Sequence, residues 1–380
     1  AHHGFLTMTN STPPFRADHV GSLLRPAAVT AARKAFFEEG RISRAELTAI
    51  EDAGIVEAVK MQESVGLKVV TDGEIRRSFW HYDFIGGLTG FDLEQRDPEE
   101  GAQFHGVKLR PTFPVITGKL DFPADHPMLD HFRFLAKTTS VTPKISIPGP
   151  SCCHFRTAKE DIRVPEYADL SALFADLSAT YAKAVQAFYD AGCRYLQMDD
   201  IFFAYLCDPK HRAQKVAEGI DPDWLITAYA RMMQDAIKDR PADMLIGMHM
   251  CRGNFRSTWA AEGAYDLAAD AIFNQTGVDL FFMEYDSERA GGLEPLRFLA
   301  KGKQRVYPGF ITTKVPDLEP IDGLKRQIEE AAKYADIDQL GIAPQCGFAS
   351  TEEGNAITPD EQRAKLDLVV RTAKAIWGEA

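Results

Sequence analysis

Eight short apolar runs punctuate this chain, and stretches of helical periodicity or long insertions separate most of them. The runs are RADHVGS near 16–22, LKVVTDGE at 67–74, KISIPGP at 144–150, CRYLQMDD at 193–200, MLIGMHM at 244–250, VDLFFMEYD at 278–286, QRVYPGF at 304–310 and DQLGIAP at 338–344. Between them, apolar residues recur at helical spacing over 44–65, 167–190, 223–239, 259–274, 293–301 and 320–335, and again over 359–377 at the end. A short apolar run bounded by turn residues suits a strand buried on both faces, as in a parallel sheet covered by helices. Eight such strands predict an α/β fold, a (β/α)8 barrel; a doubly wound open sheet is the runner-up. The barrel is preferred because polar residues follow nearly every run, as a catalytic face built from the strand-to-helix loops requires. Residues 87–142 are too long and too rich in Gly, Pro and charge for a plain crossover. They are expected to add an inserted hairpin or lid.

Composition narrows the function. At 380 residues the chain can bury a large core, and residues 9–380 read as one catalytic barrel. Residues 1–8, which include AHHGFLT, read as a cloning remnant and disordered start. The formal net charge of −12 argues against nucleic acid or an anionic membrane as partner, since both need a basic face. No apolar run is long enough to span a bilayer. Six cysteines without framework spacing suit a reducing cytoplasm, so a cytoplasmic location is expected. No glycine-rich phosphate loop and no GxGxxG follows the first strand.

Four residues at successive strand ends carry the chemistry: His249 and Cys251 in GMHMCRGN, Glu284 in LFFMEYD, and Cys346 in IAPQCGF. Residues i and i+2 of an extended chain point to the same side, so His249 and Cys251 can share one ion. One imidazole, two thiols and one carboxylate form a donor set that suits Zn2+. Trp80, His81, Cys152, Cys153 and His154 fall in loops expected near the barrel mouth. The SCCH spacing is too tight for one ion and reads as loop packing.

These motifs, HMC, MEYD and PQCGF in this order, resemble the zinc site of the cobalamin-independent methionine synthase superfamily. HVGSLLRP, VVTDGEIRRSFW, LQMDD and KVPDLEP fit in register, so the resemblance covers residues 14–375, as a short single-barrel member. It implies a zinc-dependent methyltransferase that holds homocysteine as a thiolate and methylates it to methionine. His249, Cys251, Glu284 and Cys346 would be the metal ligands. Ser22 would hold the substrate carboxylate, and Glu74 and Asp199 the ammonium. The large enzymes carry a second barrel and a histidine after the seventh strand. Here Lys314 stands at the histidine's position, as an acid or an anion-fixing charge. The fourth-strand motif also departs, ending Asp199-Asp200 rather than Asp-Glu, which leaves the donor open to a folate or another methyl carrier.

His19 precedes Ser22 closely enough to share its pocket and is a further catalytic candidate. The partners are therefore small molecules, a thiol and a methyl donor. Two alternatives stand beside this reading. One is zinc-dependent alkyl transfer to another thiol, of the coenzyme M and epoxide type, for which Arg16, Arg76, Arg77 and Lys314 leave room. The other is a barrel with only structural zinc.

Overall fold

Successive short strands place their alternate residues inside and outside a closed parallel barrel, seen in a computed structural model that describes residues 12–78, 82–96, 112–250, 262–284, 293–349 and 357–380. β1 (Val69–Val70) is followed by an antiparallel hairpin, β2 (Thr89–Gln95) and β3 (Thr112–Asp121). Then come β4 (Thr142–Pro143), β5 (Ile145–Pro148), β6 (Tyr195–Asp199), β7 (Leu245–Met250), β8 (Leu280–Glu284), β9 (Arg305–Ile311) and β10 (Ala343–Pro344). β5 to β10 form one parallel sheet in chain order, and β1 pairs in parallel with β4. Lys144 N–H donates to Val70 O at 2.8 Å, so β4 and β5 together fill one barrel position.

The chain around residues 17–23 closes the ring as its irregular first strand. Ala17 bridges Ile342 in parallel, and Ile342 N–H donates to Arg16 O at 2.8 Å. On the other side Leu23 N–H donates to Gly73 O at 3.0 Å, and the Thr71 hydroxyl donates to Gly21 O at 2.6 Å. The expected barrel is thus observed, with the eight runs in the eight positions.

Period-two alternation explains the core. Val69, Tyr195, Leu280, Phe282, Tyr307 and Ala343 pack together with Phe15 and Val20 inside the barrel. Their strand neighbours Leu196, Met198, Ile246, Met248, Phe281 and Val306 pack outward against helices. A fully buried ion pair, Lys144 Nζ to Asp18 Oδ1 at 2.8 Å, crosses the interior, and Tyr195 OH donates to Asp18 Oδ2 at 2.6 Å.

The surrounding helices are α1 (Ala27–Phe37), α2 (Arg44–Ser64), α3 (Tyr82–Ile85), α4 (Pro127–Thr138), α5 (Leu170–Asp190), α6 (Phe202–Tyr205), α7 (Pro209–Ala217), α8 (Pro222–Ile237), α9 (Glu262–Asp270), α10 (Ile321–Ala331) and α11 (Pro359–Trp377). Capping boxes, Ser43 with Glu46 and Thr358 with Glu361, start α2 and α11 by satisfying end N–H groups. Two expectations need correcting. The stretch 87–142 is a hairpin only to Asp121; its second half is α4, a regular layer helix. The helix expected at 293–301 is a single 3-10 turn, Glu294–Phe298, with Pro at its start. Among the described residues no helix is long and apolar enough to cross a membrane.

Candidate active site

The polar ends of β6, β7 and β8 meet where the barrel interior opens. Asp199 is in register with His249, and His249 with Phe282, so one barrel level carries an acid and an imidazole side by side. His249 Nδ1 lies 3.5 Å from Asp199 Oδ1. Gln197, two residues below Asp199 on the same face, donates to its Oδ1 at 2.9 Å and to Val20 O at 2.8 Å. Asp199 is thereby oriented from beneath.

Glu74 joins them from the loop after β1. Its φ of +59° is left-handed, a conformation that costs a side chain about 1–2 kcal/mol, so the surroundings must hold it there. Asp72 Oδ1 accepts its N–H at 2.9 Å, and Arg77 Nη1 donates to its Oε1 at 2.7 Å. Arginines from outside the loop secure the backbone: Arg25 donates to the carbonyls of Ile75 and Arg77, and Arg33 to that of Arg76. Burial pushes the Glu74 carboxyl up to about 7; Asp199 and Asp72 push the same way, while Arg77 and His249 pull it down. A largely buried carboxylate among acids, with a cation behind it, suits a cationic ligand.

Ser22 sits beside this group, interlocked with the loop after β10. Phe348 N–H donates to Ser22 O at 2.9 Å, and Ala349 N–H reaches Ser22 Oγ at 3.4 Å. A Cβ on Gly347 would stand 1.8 Å from Ser22 Oγ, so only glycine fits there. Cys346, one residue earlier, is buried with Sγ 3.1 Å from Thr313 Oγ1. Glu284 is buried at the end of β8. Lys314 follows Thr313 at the exit of β9 and is exposed; its N–H donates to Thr312 Oγ1.

His19 stands apart. Its Nε2–H donates to Gln62 Oε1 on α2 at 2.9 Å, which turns the ring toward the helix layer. Burial, with Lys144 adding, pushes the imidazole down to about 4. Cys152, Cys153 and His154 are all buried and tied to separate partners: Asp199 O, Tyr181 OH and Tyr229 OH. Cys251, Trp80 and His81 lie outside the described residues.

His249 Nε2 is buried without a hydrogen-bond partner among the described residues, while the other ring nitrogen faces a carboxylate. That arrangement fits a metal-binding imidazole. Among the described residues, no three His, Cys, Asp or Glu side chains gather closely enough to hold an ion. Gln197, Thr313 and Gly347 were missing from the residues expected to build the site, and Arg77 was expected only as a cation for a sulfonate thiol. Only the spacing of Arg77, three residues after Glu74 in the same loop, gave a sequence signal.

A parallel barrel with its acidic, thiol and imidazole side chains gathered at the carboxyl ends of the strands defines a (β/α)8 enzyme. The chain belongs to the cobalamin-independent synthase catalytic-domain family, whose model matches residues 15–375, and it is a methyltransferase of the cobalamin-independent type. It is similar to the uncharacterized protein YxjG of Bacillus subtilis, 46% identical over 375 residues, covering 98% of this chain and 97% of that one. A crystal structure of a candidate vitamin-B12-independent methionine synthase from Listeria monocytogenes matches with a TM-score of 0.78 and 38% identity, over 97% of this chain and 100% of that one. The 5-methyltetrahydropteroyltriglutamate–homocysteine methyltransferase of Campylobacter jejuni is 26% identical over 89% of this chain, which spans 41% of that protein.

Proposed function

We propose that this protein methylates homocysteine to methionine, with Zn2+ as cofactor and a folate or another methyl carrier as donor. The observation that carries the reading is the placement of Glu74 and Asp199 beside a buried imidazole whose Nε2 has no hydrogen-bond partner among the described residues. His249, Cys251, Glu284 and Cys346 would hold the metal. When bound, zinc supplies thiolate stabilisation, keeping the substrate sulfur deprotonated at neutral pH.

The chain's own residues do the rest. Glu74 and Asp199 hold the ammonium, Asp199 steadied by Gln197 and Glu74 by Arg77. Ser22 Oγ holds the carboxylate. The substrate sulfur then attacks the methyl carbon in line; the sulfur–carbon bond forms as the carbon–donor bond breaks. Lys314 Nζ, exposed at the mouth, delivers a proton to the departing donor or fixes its negative charge. His19 supports the first strand from its place against α2.

The alternative of a sulfonate thiol needs an uncommitted cation; the three arginines are committed, which leaves Lys314 of the four cations that would serve it. Arg16 pairs with Asp338 and Glu379 at the opposite end of the first strand, Arg76 with Glu51 and Asp52, and Arg77 with Glu74. The test is zinc X-ray absorption on the purified protein with and without homocysteine. A rise from two sulfur neighbours to three is expected. An unchanged sulfur shell would show that homocysteine does not bind the metal and would overturn the reading.

A further inference from the structure

Arg77, which steadies Glu74, is built into the floor of the site. Its guanidinium is buried, with 6% of the residue exposed. Nη1 donates to Glu74 Oε1 at 2.7 Å and to Ser146 Oγ at 3.3 Å, and Nη2 donates to Ser146 O at 2.5 Å. One side chain thus ties the loop after β1 to β5. Three of its five N–H donors are thus committed to the protein, and they point the guanidinium at Glu74 and Ser146. It also takes only one oxygen of Glu74. The other, Oε2, faces the hollow over Gly21, 3.8 Å from where a Cβ on that glycine would stand and next to Ser22 in the chain.

We propose that Arg77 is a positioning residue for amino-group recognition: it fixes Glu74 so that Oε2 and Asp199 converge on the substrate ammonium. The proposal rests on the reading of this site as one for an amino-thiol. Two physical effects combine. A carboxylate bonded to a guanidinium that is itself pinned to Ser146 on β5 has its freedom reduced before substrate arrives, which is preorganisation. The buried cation also counters burial and the crowding by Asp199 and Asp72, all of which raise the Glu74 carboxyl, and so favours its anionic form. A neutral carboxyl would offer the ammonium far less. Lysine cannot do both, because its single nitrogen cannot span Glu74 and the two oxygens of Ser146 in one plane.

The test uses zinc-replete full-length protein and two thiols, homocysteine and 4-mercaptobutanoate, which lacks only the amino group. Affinities are measured by calorimetry at neutral pH for wild type, Arg77→Lys and Arg77→Met. Wild type is expected to prefer homocysteine. Arg77→Met should weaken homocysteine about thirtyfold, as expected when one partner of a buried charged hydrogen bond is lost, while 4-mercaptobutanoate changes less than about threefold. Arg77→Lys should fall between. If Arg77→Met does not unfold cooperatively, the lysine variant alone decides. Equal losses for both thiols in a folded variant would overturn the role of Arg77 and leave the amino-thiol reading standing. No preference in wild type would overturn the two together.

Discussion

Single residues in this site work by exclusion as much as by contact. Gly347 leaves the space that Ser22 Oγ fills, so Gly347→Ala must displace either the serine or the loop. The expected result is a roughly tenfold rise in KM for homocysteine with zinc content retained, measured by steady-state kinetics and metal analysis. Loss of zinc in that variant would mean that the loop moved instead. Cys346→Ser should lower zinc content and methyl transfer together, because a hydroxyl is a poor substitute for a thiolate. Full activity in that variant would remove Cys346 from the site. At this scale the sequence was informative where chemistry is written in residue type. His249, Glu284 and Cys346 could be proposed from the donor set and the strand ends. Arg77 could not be separated from ordinary surface charge, because only tertiary packing buries it against Ser146, 69 positions away. His19 was drawn into the pocket by proximity to Ser22, three residues on, yet its ring bonds Gln62 of α2, and Gly21 with its φ of +134° turns the chain between the two.

Among elements, the loop after β9 matters most, since it carries Thr313 and Lys314. It is anchored from α11 by Lys365, buried and donating to Asp317 O at 2.5 Å and Glu319 Oε1 at 2.6 Å. Glu319 Oε2 in turn accepts Thr312 N–H at 2.7 Å. Lys365→Met removes the cation and leaves Glu319 without it, which should cost about 3 kcal/mol in urea unfolding. Because the loop lies at the donor side, kcat should fall more than KM for homocysteine; the reverse pattern would detach the loop from catalysis. Apolar spacing made most of the long helices legible. α5, α8 and α11 combine an apolar stripe with a capping residue, and their ends were read to within a few positions, as were those of α2, whose buried face also includes Glu51 and Gln62. α7 buries only Lys215, so it has no stripe to find. α4 starts from a histidine cap inside a stretch that reads as an insertion, and α1 has no side-chain cap at all. The expected helix over 259–274 is α9 followed by a π turn, Ala271–Gln275, which breaks the 3.6 spacing.

For the whole molecule, burial of ionisable groups inside one barrel sets how stability responds to pH, and two sets of groups pull in opposite directions. Burial lowers His154 to about 3, with Lys215 adding, and holds the ring neutral against Tyr229 OH. An unfolded histidine takes its proton near 6.5. Between those values the unfolded chain binds more protons, so this contribution to stability is lost as pH falls below 6.5. Asp200 does the reverse. Burial raises it to about 6 from 3.8, with Asp199 adding and the bonds from Ser151 and Phe202 opposing. The folded chain then binds more protons, so acidification from pH 6 toward 4 favours folding. Each effect is of order 2–3 kcal/mol, so in wild type they partly cancel. Removing one unmasks the other. His154→Gln loses the bond to Tyr229 and is less stable than wild type at pH 7.5, but its deficit should shrink by about 2 kcal/mol at pH 5. Asp200→Asn should show the opposite trend, its standing against wild type worsening by about 1–2 kcal/mol over the same range. Urea unfolding of the three proteins at both pH values checks the pair. Parallel profiles would mean that neither group titrates as its burial requires, whereas divergence in the stated directions ties the acid response of the barrel to the polar layer beneath its active face.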